Sequence, residues 1–359
     1  METYGGAERV TAELARAFPD APVYALLGRA SVARRMGVAD RFHSVLPARP
    51  SLFDHYRLLT PILPRLADNA QIEPADVLLS SSYAFAHRLG EAPVRVCYCH
   101  SPLRFAWSMT EDYEDRLARG PAARAAFRAL AAAMRAGDRK AAGRVDAYLT
   151  QSAFTATQIE RFYGRSAEVI GAPVDCELFR PGSRPAEDWF LLCARLIEPY
   201  KRVGVAIEAF RRTGLRLRIA GEGPAYRELK AIAPSNVEFL GHLEDDALVD
   251  VMQRCAAAVF PSRDDFGLIP LEVMACGRPV LAYAEGGALH TVEDGETGAF
   301  FARQTPDVMA EALIAFDPGA FDPGAVRRHA EQWDAPRFRE RVVSAVRRAR
   351  SRTVSGSPP

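Results

Sequence analysis

Apolar residues fall in short runs separated by stretches with helical spacing, and this alternation holds almost throughout the chain. Strands covered on both faces by crossover helices read as continuous apolar runs, so the pattern predicts a parallel α/β protein. In the second half, the runs 189–194, 217–220, 237–240, 256–260 and 279–282 are bounded by turn residues and predict strands. Between them, 203–212, 226–233, 246–254 and 271–276 predict helices, and the repetition predicts a doubly wound sheet. The first half is less regular. Strands are expected at 22–27, 76–79, 94–99 and 145–150, with helices at 10–18 and in the alanine-rich stretch 122–142.

Three segments set the expected domain plan. Residues 173–185 carry three prolines and a glycine and read as a linker, dividing a first domain of 1–172 from a second of 173–333. Residues 337–350 form an amphipathic pattern with Phe338, Val342, Val346 and Ala349 on one face and arginines on the other. A helix over 334–350 is expected to return to the first domain, its basic face left to solvent or to lipid phosphates. The tail from Ser351 reads as disordered. The first domain lacks an opening strand: only Met1 to Tyr4 precede Gly5-Gly6, so a buried strand is expected upstream of the given start.

A length of 359 residues suits two domains. With 46 Lys and Arg against 45 Asp and Glu, the net charge is +1, which gives no global attraction to nucleic acid. Six cysteines, none in a C-x-x-C pair, read as buried reduced thiols. No run approaches the ~18 apolar residues of a membrane span, and the N-terminus lacks signal-peptide character. These features predict a cytoplasmic protein.

Four constellations carry candidate chemistry. In FPSRDDFGLIPLEVMACGRPVLAYAEGG, an expected strand ends at Phe260 and a helix is expected near Pro270. The amides of Gly267, Leu268 and Ile269 then lie before a helix N-terminus, where anions bind well. Asp264 and Glu272 bracket that start, as acceptors for sugar and ribose hydroxyls or as plain helix caps. In ARLIEPYK, Arg195 follows a strand and Lys201 precedes a helix, a fork and a point charge suited to a departing diphosphate. Two surface cations alone would carry no such meaning. In VCYCHSPLRFAW, His100 and Ser101 follow a strand, and Arg104, Phe105 and Trp107 suit a phosphate and a sugar face. A lone histidine serves equally as a structural donor. Finally, Gly5 and Gly6 lead into a helix and permit close backbone approach to a phosphate. Gly221-Glu222-Gly223 also follows a strand but lacks the third glycine of a dinucleotide fingerprint, so a dehydrogenase is discounted.

Together these elements resemble the GT-B glycosyltransferases of family 4, a large retaining group, across nearly the whole chain. The acidic residue, seven others, then Glu of that family is Asp264 to Glu272, with Asp where the family normally has Glu. Its Arg-x5-Lys pair is Arg195 and Lys201. The resemblance implies two Rossmann-like domains facing across a cleft, and a nucleotide-sugar donor with no cofactor or metal. Arg195 and Lys201 would neutralise the leaving diphosphate, helped by Gly5 and Gly6. Glu272 would hold the ribose, Asp264 and the Gly267, Leu268 and Ile269 amides the sugar hydroxyls, and His100 the donor sugar. The GGAERV, CYCHSPLRFAW and DFGLIPLE stretches further resemble bacterial mannosyltransferases of cell-surface glycan assembly. They imply GDP-mannose, a glycan or lipid-linked acceptor, and peripheral contact with the inner membrane. Residues 51–66, with Arg57 and Arg65, are either a packed helix and loop or a surface for such an acceptor. Two other readings compete: another GT-B enzyme such as a sugar phosphorylase or nucleotide-sugar epimerase, and a degenerate GT-B subunit that binds a partner without catalysis.

Overall fold

A computed structural model describes residues 5–47, 49, 52–53 and 59–355. The chain divides into two compact units, Met1–Ala172 with Phe338–Pro359, and Pro173–Arg337. Each is α/β with parallel strands only.

The first unit carries two sheets. Strands β1 (Val23–Ala25) and β2 (Phe42–Ser44) pair with each other. Strands β3 (Val77–Ser82), β4 (Val94–Cys99), β5 (Ala147–Thr150) and β6 (Ala167–Val169) form a second sheet in that order. β4 is buried along its whole length, as its unbroken apolar run requires. Among the described residues, no strand precedes the helix Gly6–Ala17; residues 1–4 lie outside them. That helix starts four residues before the expected 10–18, capped at Gly5.

The second unit is one six-stranded sheet: β7 (Trp189–Cys193), β8 (Arg216–Ala220), β9 (Val237–Gly241), β10 (Ala257–Phe260), β11 (Val280–Tyr283) and β12 (Gly298–Phe301). From one edge the order is β9-β8-β7-β10-β11-β12. Chain direction along the sheet therefore reverses between β7 and β10. In open α/β sheets ligands bind at such switch points, outside the carboxyl ends of the strands. The core beneath is Phe190, Leu192, Ile207, Phe210, Leu217, Ile219, Val259 and Leu281, all buried.

Two expectations about connecting segments are corrected. Residues 173–185 are not a free linker. Val174 and Phe179 are fully buried, and Arg327 donates to the carbonyls of Cys176, Phe179 and Ala275. This packing and hydrogen bonding hold the proline-bearing stretch in the second unit. The C-terminal helix, Ala335–Ser355, continues past the expected disordered start at Ser351. Its apolar face buries Phe338, Val342 and Val346, with Phe338 edge-on to Tyr98 of β4. Its basic face is partly committed: Arg339 pairs with Glu13, Arg348 with Glu168, and Arg341 donates to the Ile170 carbonyl.

Candidate active site

The site in the second unit is built from three loops at the β7–β10 switch point. The first follows β7. Arg195 projects to solvent and makes no hydrogen bond or ion pair with a described residue. Leu196 is buried behind it and is held from two sides, its N–H on the Glu222 carbonyl and its carbonyl on the Ala225 N–H. This accounts for Gly221 and Gly223. A Cβ at Gly221 would lie 1.9 Å from the Ala194 carbonyl oxygen, and one at Gly223 would lie 2.3 Å from that of Leu196. The pair is a close-packed prop for the Arg195 loop, in line with discounting the dehydrogenase fingerprint.

The same loop ends at Lys201, before the helix Val203–Thr213. The Glu198 carboxylate accepts the Val203 and Gly204 N–H groups, at 2.6 and 3.2 Å. It thus fills that helix N-terminus, and Lys201 contributes its charge alone. Sequence reasoning missed Glu198; an acid five residues before a helix start was the available signal.

The second loop follows β10. Lys201 Nζ meets Asp264 Oδ2 at 2.5 Å, with both side chains more than four-fifths buried. The expectation gave these residues separate roles, phosphate and sugar. The structure places them in contact, a cation and an acceptor side by side. Gly267 then takes φ +101°, a left-handed conformation that favours glycine, and turns the chain into the helix Leu268–Ala275. This helix begins two residues before Pro270, the expected start. The N–H groups of Gly267, Leu268 and Ile269 have no partner among the described residues, and no side chain caps the helix. Such donors at a helix start attract negative charge. Glu272 is buried on the second turn of this helix.

The third loop follows β11 and was not anticipated. Gly287 donates its N–H to the Asp264 carbonyl at 2.7 Å. A Cβ on Gly287 would fall 2.1 Å from Phe266 Cα. Arg263 and Glu285 pair at 2.8 Å across the same two loops. A Gly-Gly pair beginning three residues past a strand end was the sequence signal for it.

The first unit holds the remaining candidates. His100 caps the end of β4 and is buried, its ring edge-on to Tyr98. Burial, with Arg104 nearby, lowers its pKa to about 3, so the ring is neutral at ordinary pH. Its Nε2 lies 2.8 Å from Ser81 Oγ, at the end of β3. Gly5 is a helix cap whose N–H goes to Glu8 Oε2 at 3.2 Å. It therefore cannot offer that amide to a phosphate, and Gly6 is left as the glycine-loop donor. Burial raises the Glu8 pKa. The expectation for Trp107 as a sugar platform is also corrected: its indole donates to Asp138 Oδ2 at 2.8 Å and its ring stacks on Phe162. Phe105 packs beside Tyr113. Arg57 lies outside the described residues, while Arg65 sits on the helix Leu63–Asp68. All six cysteines are free; burial pushes the Cys176 and Cys276 thiols up to about 12.

The same two halves are matched by known glycosyltransferase families. Residues 4–178 match the family model "Glycosyltransferase Family 4", and residues 176–316 match "Glycosyl transferases group 1". Each half of the chain is thus similar to a glycosyltransferase domain. The fold is GT-B, as in Anabaena Alr3699/HepE solved with UDP and glucose: TM-score 0.71, 17% identity, 97% of each chain covered. Sucrose-phosphate synthase from Thermosynechococcus elongatus aligns with TM-score 0.63 and 18% identity over 86% of this chain and 83% of that one.

Among sequence relatives, D-inositol 3-phosphate glycosyltransferase of Geodermatophilus obscurus is 29% identical over 62% of this chain and 56% of its own. Glycogen synthase of Mycobacterium tuberculosis is 36% identical over 42% and 38%. An uncharacterized glycosyltransferase of Methanocaldococcus jannaschii, MJ1178, is 30% identical over 32% and 34%. The chain thus spans a third to just over half the length of these relatives.

Proposed function

We propose that the protein is a hexosyltransferase that moves a sugar from a nucleoside-diphosphate donor to a glycan or lipid-linked acceptor. The observation that carries this reading is the Lys201–Asp264 pair at the switch point, beside the open amides of Gly267, Leu268 and Ile269. A sugar nucleotide needs positive charge on its diphosphate and acceptors for its hydroxyls, and these groups supply both.

Arg195 and Lys201 stabilise the diphosphate as it leaves, in place of a metal ion, and this electrostatic term dominates catalysis. Asp264 and the three amides take sugar hydroxyls, Glu272 takes the ribose, and the neutral ring of His100 accepts from a sugar hydroxyl. The Gly6 amide adds a phosphate contact. Transfer proceeds with retention at the anomeric carbon.

GDP-mannose is the donor the sequence favours, with the product entering cell-surface polysaccharide at the cytoplasmic face of the inner membrane. UDP-glucose is the second candidate, because the HepE neighbour was solved with UDP and UDP-glucose. The test is thermal stabilisation by GDP, UDP, GDP-mannose and UDP-glucose, followed by transfer from the best donor to lipid-linked acceptors. NMR of the product's anomeric configuration follows. Greater stabilisation by UDP-glucose would reject the mannosyl reading and keep the fold. Stabilisation by none of the four would reject the donor site.

A further inference from the structure

Three hydroxyl and ring groups in the first unit form a chain whose protons can be placed. Thr11 Oγ1 lies 2.8 Å from the Ala7 carbonyl oxygen and 2.7 Å from Ser81 Oγ. Ser81 Oγ lies 2.8 Å from His100 Nε2. A carbonyl only accepts, and a hydroxyl has one proton to give. Thr11 therefore gives its proton to Ala7 and accepts from Ser81. Ser81, its own proton used, accepts from His100. All three bonds form together only if Nε2 carries the ring proton.

The ring is neutral at working pH, so Nδ1 is then bare. Nδ1 has no hydrogen-bond partner among the described residues, nor is it among the buried side-chain atoms sealed from solvent without one. The reverse order would have Thr11 donating to Ser81 and Ser81 to the ring. It forfeits the bond to Ala7 and puts the proton on Nδ1.

We propose that Thr11 and Ser81 are positioning residues that fix His100 in the Nε2–H tautomer, so that Nδ1 faces substrate as a hydrogen-bond acceptor for a hydroxyl. The proposal rests on the reading of His100 as a substrate-contacting residue, which it deepens by naming the atom and the polarity of the contact. The helix after the glycine loop thereby gains a second role, because its Thr11 sets the proton order at the end of β4.

The test is the ring ¹⁵N spectrum of the histidine-labelled protein, with the His100 signals among seven histidines assigned by their absence in His100→Asn. The expected wild-type pattern is a protonated Nε2 and a bare Nδ1. Thr11→Val frees the Ser81 proton and should shift His100 toward Nδ1–H, whereas Thr11→Ser should keep the wild-type tautomer. Ser81→Ala should give mixed tautomers and lower kcat about tenfold with KM nearly unchanged, the scale of one hydrogen bond, while Ser81→Thr restores both. An Nδ1–H signal in the wild type, or an unaltered tautomer in Thr11→Val and Ser81→Ala, overturns the proposal. Wild-type turnover by His100→Asn alongside the expected tautomers overturns only the substrate contact, so the two claims fail separately.

Discussion

Gly287→Ala isolates one contact. Gly287 has φ −69° and ψ −20°, which alanine adopts without strain. Only the neighbour objects: the new Cβ would lie 2.1 Å from Phe266 Cα, 2.3 Å from its N and 2.4 Å from its C. Backbone atoms cannot rotate away, so residues 264–267 must retreat by more than about 1 Å to reach ordinary carbon–carbon separation. That strains the Gly287 bond to the Asp264 carbonyl, re-aims the amides of Gly267, Leu268 and Ile269, and moves Asp264 against Lys201. The overpacking should cost about 1–3 kcal/mol of stability. Misplacement of about 1 Å at reacting groups should cost roughly 10²-fold in kcat. The assay is donor turnover at saturation together with Tm. Gly204→Ala is the control: it sits in a helix with its Cβ 3.8 Å from Leu229 Cδ2, and should raise stability by about 0.5–1 kcal/mol with turnover unchanged. If Gly287→Ala turns over like this control, the third loop does not position the site.

Three further outcomes are expected. Arg195→Ala and Lys201→Ala should each lower kcat/KM by about 10²–10³-fold and weaken binding of the nucleoside diphosphate more than of the acceptor; wild-type turnover in either would remove it from the leaving-group role. Asp264→Asn should lower turnover while nearly sparing nucleotide binding, and Glu272→Ala should weaken nucleotide binding itself, which calorimetry with UDP and GDP separates; the reverse split exchanges their roles. His100 should also leave a pH signature on stability. Its folded pKa lies near 3, below the ordinary 6.5, so between these values the unfolded chain binds the proton that the folded one refuses. Stability should therefore rise with pH through this window and level off above it. The His100 share is about 2 kcal/mol between pH 5 and 7.5, absent in His100→Asn, and urea melts at the two pH values measure it. Equal pH dependence in both proteins would show the ring is not buried neutral.

The six-stranded sheet of the second unit was nearly readable from sequence because its central strands are buried apolar runs closed by turn residues. The expected 237–240 became Val237–Gly241, and 279–282 became Val280–Tyr283. The strands that escaped notice, Phe42–Ser44, Ala167–Val169 and Gly298–Phe301, are three or four residues long and end their sheets, where a second buried face is not required. Within the site, residue types and strand-end positions were legible, since the chemistry of a diphosphate demands cations and that of a sugar demands acceptors. Contacts were not. Lys201 and Asp264 lie 63 residues apart in sequence and meet only because β7 and β10 are neighbours. Trp107 was misread for the same reason: its partner Asp138 lies 31 residues on, in the long helix Pro121–Ala142, and nothing local announces it.

The return of the last helix to the first unit has a consequence for biosynthesis. Phe338, Val342 and Val346 complete a core that Tyr98 has waited for since early in translation. Between them the ribosome must make the 165 residues from Pro173 to Arg337, roughly 8–33 s at bacterial and eukaryotic elongation rates of about 5–20 residues per second. The second unit, continuous in sequence, has all its strands before the first has its closing helix. The nascent first unit therefore carries an uncovered apolar face through that interval, and a chaperone that shields such faces has its longest opportunity there.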